Sequence, residues 1–271
     1  MNDKLIHFKN TSCKEVAKLV ENDLSFSVLY NILHFNCTDI FTNNKSIVIC
    51  YSNNPYPIWV WVKDINNQED VNTVKDCLKN YYLLKADYNI IIKDELLSKL
   101  CECDDYFKNT KIKMDLLSYR LDNLVEISYN VDGYFGLAKI EDLDYLAVLF
   151  KDMYYEMERL EFSIEECKNK VIDHINKKTL YVWYNRLDEI VCLTSKGAFG
   201  EYSKISSVYT LPNKRRKGYA INLVYQVSKI IKQEGLTPVL YTDGSYIASN
   251  ECYKKIGFYQ VGRLVNFEKD V

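Results

Sequence analysis

The sequence predicts an α/β fold with a mixed, mostly antiparallel sheet flanked by helices, and it predicts two such domains in tandem. Two observations lead to this prediction. Apolar runs with strand character alternate with segments of helical periodicity, and the order of these elements recurs in the two halves of the chain. The length of 271 residues is also long for one ordinary core and sufficient for two. We therefore expect a first domain over residues 1–125 and a second over residues 126–271.

The first half has helical periodicity before and after a pair of strands, and an Asn53-Asn54-Pro55 turn separates these strands. The predicted elements are one or two helices over residues 13–33, strands over 46–51 and 58–62, a helix over 71–82, a strand over 89–92 and a helix over 94–101.

The second half follows the same order. Its second helix begins with a capping box formed by Ser163 and Glu166. The predicted elements begin with a strand, which is followed by a helix over residues 137–150 and a second helix over 163–177. They continue with a hairpin of strands over 180–184 and 189–193, a long strand ending at 208–210, a helix from 220, a strand over 239–242 and a short helix ending before 257.

A basic glycine loop lies between the long strand and the next helix and reads Arg215-Arg216-Lys217-Gly218-Tyr219-Ala220. A helix N-terminus carries unpaired N–H groups and a partial positive charge, so it favours phosphate. Gly218 has no Cβ and lets a ligand approach the backbone. The spacing is that of neither a Walker loop nor a dinucleotide fingerprint. Taken alone, the loop is equally well interpreted as a solvated basic turn or a transport tag.

A second motif follows about thirty residues after Gly218, in Asn250-Glu251-Cys252-Tyr253-Lys254-Lys255-Ile256-Gly257-Phe258. Asn250 and Tyr253 are three residues apart and therefore share one face of a helix. Another face of this helix is predicted to pack in the core and consists of Ala248, Cys252 and Ile256.

Together the two motifs resemble the GNAT superfamily of acyl-CoA-dependent N-acetyltransferases. The pyrophosphate loop of that family has Arg or Gln, two residues, Gly, one residue, then Gly or Ala, and residues 215–220 match it. The later family signature matches residues 250–258, with Tyr253 in its aromatic position. The segment Val208-Tyr209-Thr210-Leu211-Pro212 ahead of the loop is paired with two segments after the helix, Tyr241-Thr242-Asp243 and residues 249–258, and this pairing resembles the glycine N-acyltransferase-like branch.

The resemblance implies roles for individual residues toward acetyl-CoA, the expected acyl donor. Asn250 would bind the cofactor arm, and Tyr253 would donate a proton to the leaving thiolate, because a phenol is protonated at neutral pH. Two alternatives remain: Tyr253 packs in the core like most of the 23 tyrosines, and Asn250 caps its own helix. The remaining implied contacts are backbone groups of Val208, Tyr209 and Thr210 to the pantetheine arm, charge-assisted contacts from Arg215, and amides of Arg216, Lys217, Gly218, Tyr219 and Ala220 to the pyrophosphate.

The general base is not determined by either motif. Glu201 precedes the loop on the same predicted strand and is the first candidate. Simple alternation places it on the opposite face from Val208 unless a bulge intervenes. Ser206 and Ser207 could position a water molecule instead.

The first half contains no glycine before Gly133 and therefore no such loop. It resembles a degenerate second copy of the GNAT domain, without a cofactor site. An unrelated α/β domain is the alternative.

Composition excludes several classes of protein. The net charge of −2 gives no electrostatic footprint for nucleic acid, and no apolar run is long enough to span a membrane. Residues 1–4 begin no signal peptide, and nine scattered cysteines without paired spacing favour a reducing cytoplasm over a disulfide frame. Three histidines at unrelated positions predict no metal site.

Three functions are therefore considered from the sequence. The first is an N-acetyltransferase acting on a primary amine of a small molecule or peptide, as a monomer or homodimer. The second is a non-catalytic acyl-CoA-binding or sensing module, in which Tyr253 only packs. The third, a nucleic-acid- or partner-binding protein using the basic loop, is the weakest because the basic run is isolated.

Overall fold

A computed structural model describes residues 5–53, 56–83, 88–128 and 131–269. The predicted turn at 53–55 lies partly outside these residues, and residues 1–4 lie wholly outside them. The chain forms two compact units. Within the described residues, the first unit runs to Ser118 and also contains Thr242–Ile247 and the chain from Gln260 onward. The second contains Tyr119–Tyr241 and Ala248–Tyr259.

The first half of the chain forms ten helices and strands within the described residues. In chain order they are β1 (Ile6–Thr11), α1 (Lys14–Val20), α2 (Ser27–Ile32), β2 (Cys37–Thr42), β3 (Ile47–Tyr51), β4 (Ile58–Val62), α3 (Gln68–Leu78), β5 (Ile90–Lys93), α4 (Asp94–Cys103) and β6 (Thr110–Arg120).

The second half repeats this order of helices and strands. Its elements are β7 (Tyr134–Leu137), α5 (Leu143–Glu158), α6 (Ile164–Asn176), β8 (Leu180–Tyr184), β9 (Ile190–Phe199), β10 (Tyr202–Thr210), α7 (Tyr219–Gln233), β11 (Thr237–Asp243), α8 (Ile247–Ile256) and β12 (Tyr259–Lys269).

The sheet of the first unit has the strand order β1-β2-β3-β4-β5-β12-β6. Neighbours from β1 to β4 pair antiparallel, β4 and β5 pair parallel, and β12 pairs antiparallel with β5. Apolar side chains of α1 and α2 pack on one face, and those of α3 and α4 on the other. The α/β class with a mixed sheet is therefore confirmed for this half.

The sheet of the second unit has the order β11-β10-β9-β8-β7. Its pairs from β7 to β10 are antiparallel, and β10 pairs parallel with β11. Helices α5 and α6 pack on one face through a core that includes Phe150 and Leu193. The capping box is confirmed: Ser163 Oγ accepts a hydrogen bond from the Glu166 amide, and the Glu166 carboxylate accepts one from the Ser163 amide.

Three strands of the first half were missed from the sequence, namely β1, β2 and β6. All are partly exposed, and β6 alternates Lys and Asp with apolar residues, so none forms an apolar run.

The compact units do not divide at the predicted boundary between residues 125 and 126. The first unit ends at Ser118 and regains the last strand of the chain. The physical reason is strand pairing, because Leu264 lies opposite Lys93 and Phe267 lies opposite Ile90. The assignment of residues 1–125 and 126–271 to two functional domains stays a prediction.

Candidate functional site

The candidate site is built around a β-bulge in β10. Ser206 lies opposite Ser195, but Tyr209 lies opposite Leu193, so Ser207 and Val208 share the single position opposite Thr194. Ser207 adopts a φ of 56°, a left-handed conformation that costs energy for a residue with a side chain. A bulge interrupts the ladder of hydrogen bonds between the strands and redirects the backbone groups of its residues, here Ser207 and Val208.

On its other edge, β10 separates from β11 before it reaches the bulge. The parallel register starts at Tyr202–Thr237 and ends at Ile205–Leu240. Over the described residues, the backbone from Ser206 to Thr210 therefore has no strand partner on this side. Backbone groups of Val208, Tyr209 and Thr210 lie in this opening, where an extended ligand arm could pair with them.

The basic loop connects β10 to α7, as the sequence predicts. A 3-10 turn at Pro212–Lys214 leads into Arg216, with a φ of 61°, and Gly218, with a φ of 86°. Gly218 is the N-cap of α7, and no side chain caps this helix start. Because Gly218 has no side chain to cap them, the first amides of α7, including those of Tyr219 and Ala220, are suited to a phosphate.

The three cationic side chains of the loop differ in what they contact. Arg215 donates from Nε to the Thr210 carbonyl at 3.0 Å and pairs with the Glu156 carboxylate at 2.7 Å. Its guanidinium also lies 5.7 Å from the ring centroid of Tyr209. These contacts hold the loop against α5. Arg215, Arg216 and Lys217 are all exposed, but the charge of Arg215 is already paired with Glu156. The charge available to a phosphorylated ligand therefore comes from Arg216 and Lys217.

Tyr219 anchors the start of α7. Its side chain is buried, and its hydroxyl donates a hydrogen bond to the Asp132 carboxylate. The bond lowers the pKa of Asp132 and raises the pKa of Tyr219 to about 12. Trp183 donates from its indole to the Asp132 carbonyl at 2.8 Å, which fixes this segment in turn.

The prediction that Ala248, Cys252 and Ile256 form the core face of α8 is wrong in part. Ala248 is exposed, whereas Asn250, Tyr253 and Ile256 are buried. The face carrying the two motif residues is therefore itself the buried face of the helix. Asn250 and Tyr253 are 6 % exposed each.

Tyr253 lies in a largely aromatic and sulfur-rich environment. Its ring centroid is 6.4 Å from that of Tyr119 and 6.2 Å from that of Phe258. Burial raises the pKa of its hydroxyl well above the usual value, and the nearby Cys252 and Cys192 thiols act in the same direction. Cys192 lies opposite Thr210 in the strand register and accepts a hydrogen bond from its hydroxyl at 3.1 Å. Tyr253 is thus close to the strand residues that follow the bulge.

Glu201 is not on β10 but in the turn before it, where its side chain is exposed. Six residues of strand, roughly 20 Å at 3.3 Å per residue, separate it from the bulge. This distance is too long for direct proton transfer to a group at the bulge. The assignment of Glu201 as general base stays a prediction, and its position argues against it.

The first unit has no comparable site at the corresponding helix. The amides of Glu69 and Asp70 at the start of α3 donate to the Asn67 side chain at 3.0 and 3.3 Å. Both residues are acidic and lie in the first turn, where they would repel a phosphate. The register of β3 with β4 also continues without a bulge from Ile47–Val62 to Tyr51–Ile58.

Sequence reasoning did not find four residues that shape this site. Thr194 and Ser195 contact the bulge, Glu156 holds Arg215, and Asp132 holds Tyr219. None belongs to either motif. Pairing across strands and between distant segments brings them together, and no local spacing encodes it.

The chain is similar to known proteins in part of its sequence and in its fold. A family model described as FR47-like protein matches residues 196–265. No curated protein sequence matches the chain.

Solved structures match the chain over its whole length. An acetyltransferase of the GNAT family from Colwellia psychrerythraea is 14 % identical with a TM-score of 0.66, covering 98 % of this chain and 99 % of that one. A GCN5-related N-acetyltransferase from Sphaerobacter thermophilus is 11 % identical with a TM-score of 0.71, covering 100 % and 97 %. A Drosophila protein is 12 % identical with a TM-score of 0.67, covering 99 % of each chain. The fold is therefore the α/β fold of the GNAT acetyltransferases.

The described residues contain neither a candidate metal site nor a candidate membrane span. No cluster of three or more His, Cys, Asp or Glu side chains there could hold a metal ion. None of the helices in that part of the chain is both long and apolar enough to cross a membrane.

Proposed function

We propose that this chain is an acetyl-CoA-dependent N-acetyltransferase whose second unit transfers an acetyl group to a primary amine by direct attack. One observation carries the proposal: the bulge in β10, open toward β11, is followed within ten residues by the uncapped start of α7. A thioester at the bulge and a pyrophosphate at the helix start would lie on one continuous stretch of backbone. The resemblance of residues 208–212, paired with 241–243 and 249–258, to the glycine N-acyltransferase-like branch extends the proposal to that branch.

Binding is assigned first to the backbone. The amides of residues 216–220 would hold the pyrophosphate, and Arg216 and Lys217 would supply positive charge. Backbone groups from Val208 to Thr210 would pair with the pantetheine arm, and Asn250 would bind it from α8. Arg215 keeps the loop in place through Glu156 and Thr210.

The chemistry requires a neutral amine and a stabilised leaving sulfur. Tyr253 is protonated at neutral pH because an ordinary phenol has a pKa of about 10, and burial raises the pKa of Tyr253 further. The same shift makes complete proton transfer to a thiolate, with an ordinary pKa of about 8.5, unfavourable. We therefore assign Tyr253 a hydrogen bond to the developing thiolate, with net protonation of the sulfur following from solvent.

Removal of the amine proton is assigned to an ordered water on Ser206 or Ser207, with Glu201 as the alternative. Ser206 lies next to the bulge, whereas Glu201 lies in the turn before the far end of β10. Glu201→Gln should leave turnover unchanged if water is the base, and a loss of more than tenfold would restore Glu201 to that role.

The acceptor is proposed as a small molecule or peptide with a primary amine, acetylated in the cytoplasm by a monomer or homodimer. Neither nucleic acid nor a membrane is proposed as a partner.

The test measures binding and turnover separately. Calorimetric titration of acetyl-CoA should give a binding isotherm, and an amine panel starting with free amino acids and polyamines should give release of CoA. Gly218→Ala should abolish binding, because a Cβ at this position obstructs approach to the backbone. Gly235→Ala is the matched control, since Gly235 also has a positive φ of 78° but lies beyond the other end of α7.

Absence of binding at millimolar acetyl-CoA would contradict the proposal. Binding without turnover on any amine would favour the non-catalytic sensing module. Equal loss of binding in both glycine variants would show that strain, and not contact with the ligand, causes the effect.

A further inference from the structure

The bulge in β10 is held by a hydroxyl from the neighbouring strand. Thr194 Oγ1 donates a hydrogen bond to the Ser206 carbonyl at 2.9 Å, and the Thr194 side chain is fully buried. Ser195 Oγ lies 3.3 Å from the same carbonyl and 3.3 Å from Ser206 Oγ. The shorter contact is therefore the one from Thr194.

The position of Thr194 explains why a hydroxyl is needed there. Thr194 is the one residue of β9 that lies opposite both residues of the bulge, Ser207 and Val208. A bulge disrupts the regular ladder, and a buried carbonyl without a donor is costly. The Thr194 side chain supplies that donor, and its β-branched χ1 leaves few other orientations.

We propose that Thr194 is a positioning residue for acyl transfer, because its hydroxyl fixes the Ser206 carbonyl and thereby the direction of the backbone N–H groups at Ser207 and Val208. This inference rests on the proposed function. The backbone conformation that depends on it includes the positive φ of Ser207, which persists only when its surroundings enforce it.

The expected effect is larger on the rate than on cofactor affinity. An N–H fixed toward the thioester oxygen contributes most when negative charge develops on that oxygen. Pyrophosphate binding at the start of α7 does not depend on this N–H, whereas the contact of Val208 with the pantetheine arm does. Loss of the Thr194 hydroxyl should therefore lower kcat by a larger factor than it raises the Kd for acetyl-CoA.

The experiment compares Thr194→Val, Thr194→Ser and Thr42→Val in the full chain. Thr194→Val keeps the shape and removes the hydroxyl, and kcat should fall about tenfold or more. Thr194→Ser keeps the hydroxyl and should recover most of the rate. Thr42 is the matched control, a fully buried strand threonine of the first unit whose hydroxyl accepts from the Asn44 amide at 2.9 Å.

A structural readout separates this proposal from the proposed function. In the protein without ligand, amide and Cα chemical shifts of Ser207 and Val208 should change in Thr194→Val and return toward wild type in Thr194→Ser. An active wild type with unchanged kcat and unchanged shifts in Thr194→Val would overturn the role of Thr194 alone. Equal losses of kcat in Thr194→Val and Thr42→Val would also overturn it, because the effect would then be one of general stability. A wild type that neither binds acetyl-CoA nor acetylates any amine would overturn both.

Discussion

Tyr253 is buried against the rings of Tyr119 and Phe258, so Phe in its place retains the packing and removes only the hydroxyl. We expect Tyr253→Phe to lower kcat by roughly 10²-fold and to leave the Kd for acetyl-CoA nearly unchanged, because only stabilisation of the leaving sulfur is lost. Steady-state kinetics on an accepted amine, with calorimetry of binding, measures both. Tyr119→Phe is the control for loss of a buried phenol beside the site. A native rate in Tyr253→Phe would show that solvent, and not Tyr253, stabilises the leaving sulfur.

The raised pKa of Tyr253 has a consequence for the pH profile. A phenol with an ordinary pKa of about 10 loses its proton as the pH approaches 10. Since burial holds the pKa of Tyr253 higher, kcat should show no alkaline loss between pH 8 and 10 from this group. An alkaline limb that disappears in Tyr253→Phe would show that the phenol ionises in this range, contrary to the prediction.

Arg215 and Arg216 are adjacent but should respond differently to substitution. Arg215→Lys keeps the charge but cannot reach Thr210 and Glu156 together, so it should weaken acetyl-CoA binding a few-fold, as Arg215→Ala should. Arg216→Ala should weaken binding and also reduce its dependence on salt, because an exposed phosphate contact is lost. Titrations at two salt concentrations provide the measurement. Wild-type affinity in Arg215→Lys would show that Arg215 acts by charge.

At the scale of elements, the start of α7 depends on the bond from Tyr219 to Asp132. Asp132 has a lowered pKa, so its contribution to stability is present above about pH 4 and is lost as pH falls through the lower folded value. Tyr219 has a pKa raised to about 12, so its contribution is present below about pH 10 and is lost as pH rises through 12. The difference in unfolding free energy between wild type and Tyr219→Phe should therefore be largest between about pH 4 and 10.

Urea denaturation of the two proteins across pH measures this difference. Asp132→Asn is the control, because it removes the titrating carboxylate. The difference in unfolding free energy between Asp132→Asn and Tyr219→Phe should therefore stay nearly constant at acid pH. A wild-type advantage that stays constant from pH 2 to 7 would contradict the assignment.

Elements with a local signal were predictable from the sequence, and those that depend on pairing were not. The capping box at Ser163 and the glycine loop at Gly218 have fixed spacings and were found at their residues. The bulge has no such signature, since it depends on Thr194 in another strand. For α8, periodicity alone could not choose between two faces, and the face with Asn250 is the one that is buried.

At the scale of the whole molecule, the two halves have the same element order but differ at the position where a phosphate would bind. In α7 the helix start is uncapped and lies beside Arg216 and Lys217. In α3 the first amides are already bonded to Asn67, and two acidic residues follow. Repetition of the fold therefore does not imply repetition of the site, because a few residues at one helix start decide whether an anion is attracted or repelled.

We therefore expect one acetyl-CoA to bind per chain, in the second unit. Gly218→Ala should remove all binding, because no second site at α3 would remain to give a signal. Asn67→Ala frees the amides of α3 but leaves Glu69 and Asp70 in place, so it should add no second site. Calorimetric stoichiometry on wild type and both variants is the measurement. Two equivalent sites in the wild type, or half of the heat retained in Gly218→Ala, would show that the first unit also binds the cofactor and that the acidic first turn of α3 does not exclude it.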